Sequence, residues 1–369
     1  MPRNDAVWSA SDTTPDAIEA AMRELLVQRH AENSAYVPAR VLNMLVFVDD
    51  AWSGEVANRL RGVGRYHASR VIVLSFDPRR ERIDARASIA ADDAAPGGLA
   101  LLRETVVVRI GPPHLDDLPT IADPLVVTDL PTLLWSPHGH AEEADTLIGL
   151  AQAALVDSID EPVWRAAIER ACSLSERVYV VDLAWLRSTP WRERIAGAFD
   201  SGRMRAELNE ISSVRVRHHP SSTVAALLLV GWLASRLSWT TSATRSAQHD
   251  GGSRTLTGSA TTGAGEVAVE LVAAPELAVP GLASVELATA SNVRLSLDRG
   301  EGGLRARQRE PDGGERTWTL LGASRGESGI LGEGIRQALL RDPTYAPALK
   351  NAQSMLPHTA APTASASAA

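Results

Sequence analysis

Two pairs of imidazoles are the first residues whose types could do chemistry: His138 and His140 in SPHGH, and His218 and His219 in VRVRHHP. Four histidines meeting in space would suit zinc. Pro and Gly flank the first pair, which reads as a loop, and nothing in the spacing joins the two pairs, so no metal site is expected. Asp49 and Asp50 close the apolar run VLNMLVFVDD. Carboxylates at the carboxyl end of a strand could meet a metal ion or a ribose, and the plainer role is to cap the helix that follows. That turn carries a single glycine, Gly54, and the GVG at 62–64 lacks the third glycine of a dinucleotide fingerprint. The only lysine, Lys350, lies far from any glycine-rich turn, so a phosphate-cradling loop is excluded. No cofactor is expected. Neither H-E-x-x-H nor G-x-S-x-G occurs. Cys172 is the only cysteine, which rules out an intrachain disulfide and any multi-cysteine zinc site.

A formal net charge of −8 argues against nucleic-acid binding, which needs a basic face to release counterions. Nine Trp stand against three Phe and four Tyr, and almost every cation is arginine, a planar fork suited to stacking and carboxylates. The first residues contain no apolar signal-like core. The longest apolar run, 224–234, is about half of what a bilayer span needs. These features predict a soluble, cytoplasmic protein without a membrane partner.

The elements that must position these residues follow from periodicity. A helix is expected over 16–28, where Ile18, Met22, Leu25 and Leu26 share a face. Buried strands are expected at 41–48 and 70–76, with a helix over 52–63 between them, and further strands at 82–89, 105–110, 130–136, 154–158, 177–182 and 214–219. Strands alternating with helices imply an α/β fold with a mostly parallel sheet and flanking helices. Past 240 the composition turns rich in Ser, Thr and Gly. Short strand-like runs and a helix near 327–341 then imply a smaller antiparallel, strand-rich α+β domain. The expected division is a flexible segment with a short helix at 1–35, the α/β domain at 36–240, a linker or loose hairpin at 241–265, the strand-rich domain at 266–345, and a disordered tail at 346–369. In DLAWLRSTPWRERIAGAFD (182–200), Thr189 is a candidate N-cap with Pro190 at the first helical position, and Trp191, Ile195, Ala198 and Phe199 share one face. Trp185 and Arg187 precede that cap and suit packing between elements or a partner surface of indole and guanidinium.

The stretches ARVLNMLVFV, HASRVIVLSFDP, PLVVTDLPTLLWSP, ALVDSID, DLAWLRSTPWRERIAGAFD and LLLVGWLASRLSW, in this order, resemble the OpcA family of glucose-6-phosphate dehydrogenase assembly proteins. The resemblance covers about 36–240 by motif and 266–341 by pattern only. It implies a non-catalytic protein that binds oligomeric glucose-6-phosphate dehydrogenase and promotes its assembly or activity. Trp185, Arg187 and Arg192 are then the expected dehydrogenase contacts. The alternative is an enzyme acting on a sugar phosphate or nucleotide sugar at the carboxyl ends of the parallel strands, with Asp49, Asp50 and Arg70 as candidate residues. The chain departs from the family pattern at Ser136, where an aromatic often stands. The dithiol redox control discussed for some members cannot operate within a chain whose one thiol is Cys172.

Overall fold

A computed structural model describes residues 5–33, 36–38, 40–63, 69–91, 100–248, 254–310, 312–321 and 326–357. The chain divides into two compact units. One comprises Met1–Asp160, Leu174–Leu183 and Gly326–Arg341; the other comprises Glu161–Ser173, Ala184–Arg325 and Asp342–Ala369.

The first unit holds strands β1 (Ala6–Ala10), β2 (Tyr36–Val37), β3 (Leu42–Asp49), β4 (Ser69–Phe76), β5 (Asp84–Ala91), β6 (Ala100–Ile110), β7 (Thr132–Trp135), β8 (Ala153–Val156) and β9 (Tyr179–Asp182). Their order is β1-β5-β6-β4-β3-β7-β8-β9, with β2 beside β6. The stretch from β6 to β9 is parallel throughout. Ranked along the chain, these six strands lie in the order 3-2-1-4-5-6, that of the doubly wound Rossmann sheet. The central strand β3 is buried from Leu42 to Val48 because helices cover both faces of such a sheet, which is why its sequence is apolar but for Asn43. Helices α1 (Pro15–Glu32), α2 (Asp50–Val63), α3 (Leu118–Ala122) and α4 (Ala141–Leu147) follow in chain order. Thr14 caps α1 by accepting the Ala17 N–H, and Pro15 opens it.

Helices α5 (Trp164–Ser175), α6 (Leu183–Arg187), α7 (Thr189–Ala198), α8 (Gly202–Glu207), α9 (Thr223–Leu237), α10 (Gly326–Leu340) and α11 (Tyr345–Ser354) complete the set. The second unit carries β10 (Ile211–His218), β11 (Thr240–Thr241), β12 (Arg245–Gln248), β13 (Arg254–Thr261), β14 (Glu266–Ala273), β15 (Leu282–Thr289), β16 (Arg294–Gly300), β17 (Gly303–Arg309) and β18 (Glu315–Leu321), in the order β11-β13-β14-β10-β15-β16-β17-β18 with β12 beside β13. Apolar and polar residues alternate along β14 and β17, the pattern of strands covered on one face. Helix α9 packs on β10 and β14 with one side and on α11 with the other, so it is apolar nearly all round. This helix is also the one described segment long and apolar enough to cross a membrane, and 67% of that window is buried inside the fold.

The α/β class, with a mostly parallel sheet followed by a strand-rich α+β part, matches the sequence reading. Several boundaries differ. Residues 6–10 form β1, paired antiparallel with β5, where a flexible segment was expected. Strand β10 does not extend the first sheet; it sits inside the second, parallel to β14 and antiparallel to β15. Its alternating burial suits a sheet with one open face. Much of the Ser/Thr/Gly-rich stretch is ordered as β11, β12 and β13, because Leu256 and Ala260 point inward. Helix α10 belongs to the first unit, packing on α2, β8 and β9. Residues 345–354 form α11, tied down by buried Tyr345, Ala348, Leu349 and Ala352, where a disordered tail was expected. Residues 1–4, Gly64 of the GVG stretch, 249–253 and the tail 358–369 lie outside the described residues.

The α9–α11 crossing depends on Gly231. A Cβ there would stand 2.2 Å from the Ala348 carbonyl oxygen, a backbone atom that cannot move alone. Gly231→Ala should therefore destabilise the second unit by about 1–3 kcal/mol, the usual cost of overpacking, despite alanine's better helix propensity. Urea denaturation followed by circular dichroism measures this; an unchanged or higher midpoint would show that the helices separate freely.

Candidate functional site

In a sheet of this order, ligands bind outside the carboxyl ends of the strands where the connections reverse direction, here between β3 and β7. The structure gathers polar groups there. Asp49 ends β3, and its Oδ1 lies 3.1 Å from His140 Nε2. The other nitrogen of that ring, Nδ1, lies 3.7 Å from Glu143 Oε2. Asp50 opens α2, and its Oδ1 accepts from Ser75 Oγ at 2.6 Å and from Arg109 Nε at 3.2 Å. His138, Gly139 and His140 all have positive φ, at 66°, 106° and 61°. For the two histidines this conformation costs energy, so neighbouring contacts must hold the turn. Ser136 Oγ bonds the Gly139 carbonyl at 2.7 Å, His140 packs edge-on against Phe47, and the His138 ring lies 5.0 Å from that of Trp52. Ser136, the departure from the family pattern, thus braces the histidine turn.

The expected capping role of the two aspartates takes another form. Among the described residues, the partners of their carboxylates are the side chains of His140, Ser75 and Arg109. Both carboxylates occupy the mouth of α2, where a dinucleotide would need a glycine turn and free amides for its pyrophosphate. Here the position is taken by carboxylates already engaged with Arg109, Ser75 and His140. An imidazole between two carboxylates can pass a proton, but the hydroxyl paired with Asp50 belongs to Ser75, which is fully buried and out of a substrate's reach. Ser75 and Arg109 were not singled out from sequence; their positions at the ends of the apolar runs SRVIVLSF and TVVVRI were the available signal.

Arg70, grouped with the aspartates in the enzyme reading, lies elsewhere. It stands near the amino end of β4, buried, with Nε on Glu104 Oε2 at 2.8 Å, one terminal nitrogen on Glu19 Oε2 at 2.8 Å, and the same nitrogen on the Leu125 carbonyl at 3.0 Å. Arg40 also pairs with Glu104. This is a structural ion network at the opposite end of the strands, and it corrects that assignment. His138 and His140 belong to the first unit, whereas His218 and His219 belong to the second. His218 is buried, its ring Nδ1 lies 2.8 Å from the His219 carbonyl, and burial lowers its pKa. Among the described residues no group of three or more His, Cys, Asp or Glu is placed to hold a metal.

The indole and guanidinium residues expected at a partner surface turn inward. Trp185 is 2% exposed, and its indole N–H donates to Asp342 Oδ2 at 2.9 Å. Arg192, 8% exposed, stacks its guanidinium 3.3 Å from the centre of that indole and donates to the Trp185 carbonyl, Ser188 Oγ and Thr189 Oγ1. Thr189 is therefore a partner of Arg192, and the cap position falls on Ser188, whose hydroxyl bonds the Trp185 carbonyl. A desolvated stack of this kind contributes about 2 kcal/mol. Burial acts against the charge and lowers the Arg192 pKa to about 10, with Asp342 opposing the shift. Trp191 is buried with Ile195 and Phe199, as the helical spacing predicts. Arg187 is half-buried. Trp185 and Arg192 are interior groups where a docking face was expected: the indole N–H meets the Asp342 carboxylate, and the guanidinium meets the indole face and the oxygens of Trp185, Ser188 and Thr189.

Asp342 holds this cluster electrostatically. Burial raises its pKa, but hydrogen bonds from Thr344 and Trp185 and the charge of Arg192 outweigh that, and the net shift is downward. A carboxyl group with a depressed folded pKa contributes stability that is complete above its unfolded value, about 3.9, and is lost as pH falls through the lower folded value. Asp342→Asn should thus lower the melting temperature near neutral pH, and the gap to wild type should narrow as pH falls through and below the ordinary carboxylate range. A constant gap from pH 7 to 2.5 would show that Asp342 carries no such linkage.

A family model described as the glucose-6-phosphate dehydrogenase subunit N-terminal domain matches residues 61–173, and one described as the C-terminal domain of that subunit matches 178–349. A protein of Nostoc punctiforme provisionally named OxPP cycle protein OpcA is 34% identical over 119 residues, 31% of this chain and 26% of the relative. Its namesake from Synechocystis is 28% identical over 141 residues, 37% of this chain and 30% of the relative. The chain thus spans under a third of the length of these curated relatives. Among solved structures, the apo scyllo-inositol dehydrogenase of Lactobacillus casei aligns over 86% of this chain and 96% of its own at 11% identity, with a TM-score of 0.49. The two adjoining family models take in most of both units, and the chain belongs to the OpcA family.

Proposed function

We propose that this protein is a non-catalytic partner of glucose-6-phosphate dehydrogenase in the cytoplasm, binding the oligomeric enzyme and promoting its assembly or activity, and so regulating the oxidative pentose phosphate pathway. The observation that carries the reading is the match to both halves of a dehydrogenase-subunit family across residues 61–173 and 178–349. The site at the strand ends is consistent with it. Asp49 and Asp50 stand at the mouth of α2, and the groups around them are tied to one another. Action through a surface then fits the chain better than chemistry in a cleft. Of the contacts expected from sequence, half-buried Arg187 stays a candidate, whereas Trp185 and Arg192 are buried.

The physical requirement is modest. A partner shifts an equilibrium only by its differential affinity, and a tenfold bias toward the active oligomer needs about 1.4 kcal/mol. Purified protein mixed with the dehydrogenase should co-elute with it and raise its rate at low substrate, while the isolated chain turns over neither sugar phosphates nor nucleotide sugars. Absence of a complex, or turnover by the chain alone, would overturn the proposal; a complex without a rate change would reduce it to a structural subunit.

A further inference from the structure

Helix α7 presents its outer face to a groove that none of the preceding roles uses. The groove encloses about 480 Å³ and lies between α7, α8 and the last two strands of the second sheet. Arg194, Ala198, Met204, Arg316 and Trp318 line it. Arg194 has its Nε buried with no hydrogen-bond partner, and among the described residues none of its nitrogens is ion-paired. Such a group is costly to bury unless something satisfies it. Arg316 has the face of Trp318 as its neighbour, 5.7 Å from the ring centre. Glu193, Arg203 and Glu310 also line the groove; Glu310 and Asp312 bind Arg203 at 3.3 and 3.5 Å, and among the described residues no carboxylate forms an ion pair with Arg194 or Arg316. Two cations and an indole therefore face the groove without an acidic partner of their own.

The second observation is the sheet edge beside it. Strand β18 is terminal, paired with β17 in unbroken register from Gly303↔Leu321 to Arg309↔Glu315. Among the described residues, the backbone of 315–321 bonds no strand other than β17. The strand contains neither proline nor lysine, the usual guards of an exposed edge. A further strand laid along β18 would point every second side chain toward the face that carries Arg316 and Trp318, beneath α7.

We infer that this groove and edge take an extended, acidic segment of the dehydrogenase, which adds a strand to β18, sets carboxylates on Arg194 and Arg316, and lays an apolar side chain against Trp318. The assignment rests on the partner proposed above. Free ladder groups select an extended backbone, and the unpaired guanidiniums select acidic residues. Indole and arginine are also the side chains that most often dominate binding energy at protein interfaces.

The test uses the full-length chain and the intact dehydrogenase. Amide hydrogen exchange over 315–319 should slow by about tenfold or more when the complex forms, since new ladder bonds protect those amides. Arg194→Glu with Arg316→Glu should weaken the complex by at least about tenfold, and Trp318→Ala by several-fold, with circular dichroism unchanged. A wild-type complex with unaltered exchange at 315–319 would overturn the docking assignment while leaving the partner intact, as would a charge-reversed variant that binds normally. Protection of the same amides in the isolated chain, rising with its concentration, would mean that a second copy occupies the edge, and would also overturn it. Failure of the wild-type proteins to associate at all would remove the partner and this assignment together.

Discussion

Negative charge stands at the mouth of α2, where a doubly wound sheet ordinarily receives a phosphate, and much else in the first unit follows from that. Asp50 draws Ser75 and Arg109 from the ends of β4 and β6, and Asp49 draws His140 from beyond β7. Four strand ends are thus tied across the point where the connections reverse direction. The left-handed turn at 138–140 is tolerable because Ser136, Phe47 and Trp52 brace it. At this point of the sheet, side chains from several strands are tied to one another.

The two units handle buried charge in the same way. At the amino end of the first sheet, Arg70 is surrounded by Glu104, Glu19 and a carbonyl oxygen. In the second unit Arg192 is held by an indole face, two hydroxyls, a carbonyl and the field of Asp342. Isolated, either guanidinium would be expensive to desolvate. Paired and hydrogen-bonded, each fixes a unique arrangement of the elements around it. Arg194 is the exception on the same helix as Arg192. Two residues apart, one guanidinium is fully satisfied within the fold and the other is not, and this asymmetry separates the structural side of α7 from the side available to a partner.

Surfaces of that kind suit a regulatory partner. A sheet edge and a few unpaired cations supply affinity when a complementary segment arrives. Specificity comes from the pairing of charges and from the alternation of side chains along the added strand.

Much of the fold was legible in the residues alone. The near-continuous apolar runs at 42–48 and 71–74 read as strands covered on both faces, and the alternation of polar and apolar residues beyond 266 as a sheet with one open face; these are local consequences of periodicity and burial. The missing glycine fingerprint was equally local, as was the amphipathic stripe of Trp191, Ile195 and Phe199. Which sheet β10 joins, that residues 6–10 pair with β5 and that α10 returns to the first unit were set by partners far along the chain, on which periodicity is silent. The site residues divide likewise. Asp49 and Asp50 could be named because a strand end marks them, whereas their union with Ser75, Arg109 and His140 spans up to 91 residues of sequence and exists only once the strands are side by side. Whether Trp185 and Arg192 faced out or in turned on Asp342, more than a hundred residues away, because a buried cation needs a counter-charge and only the tertiary fold can bring one to it.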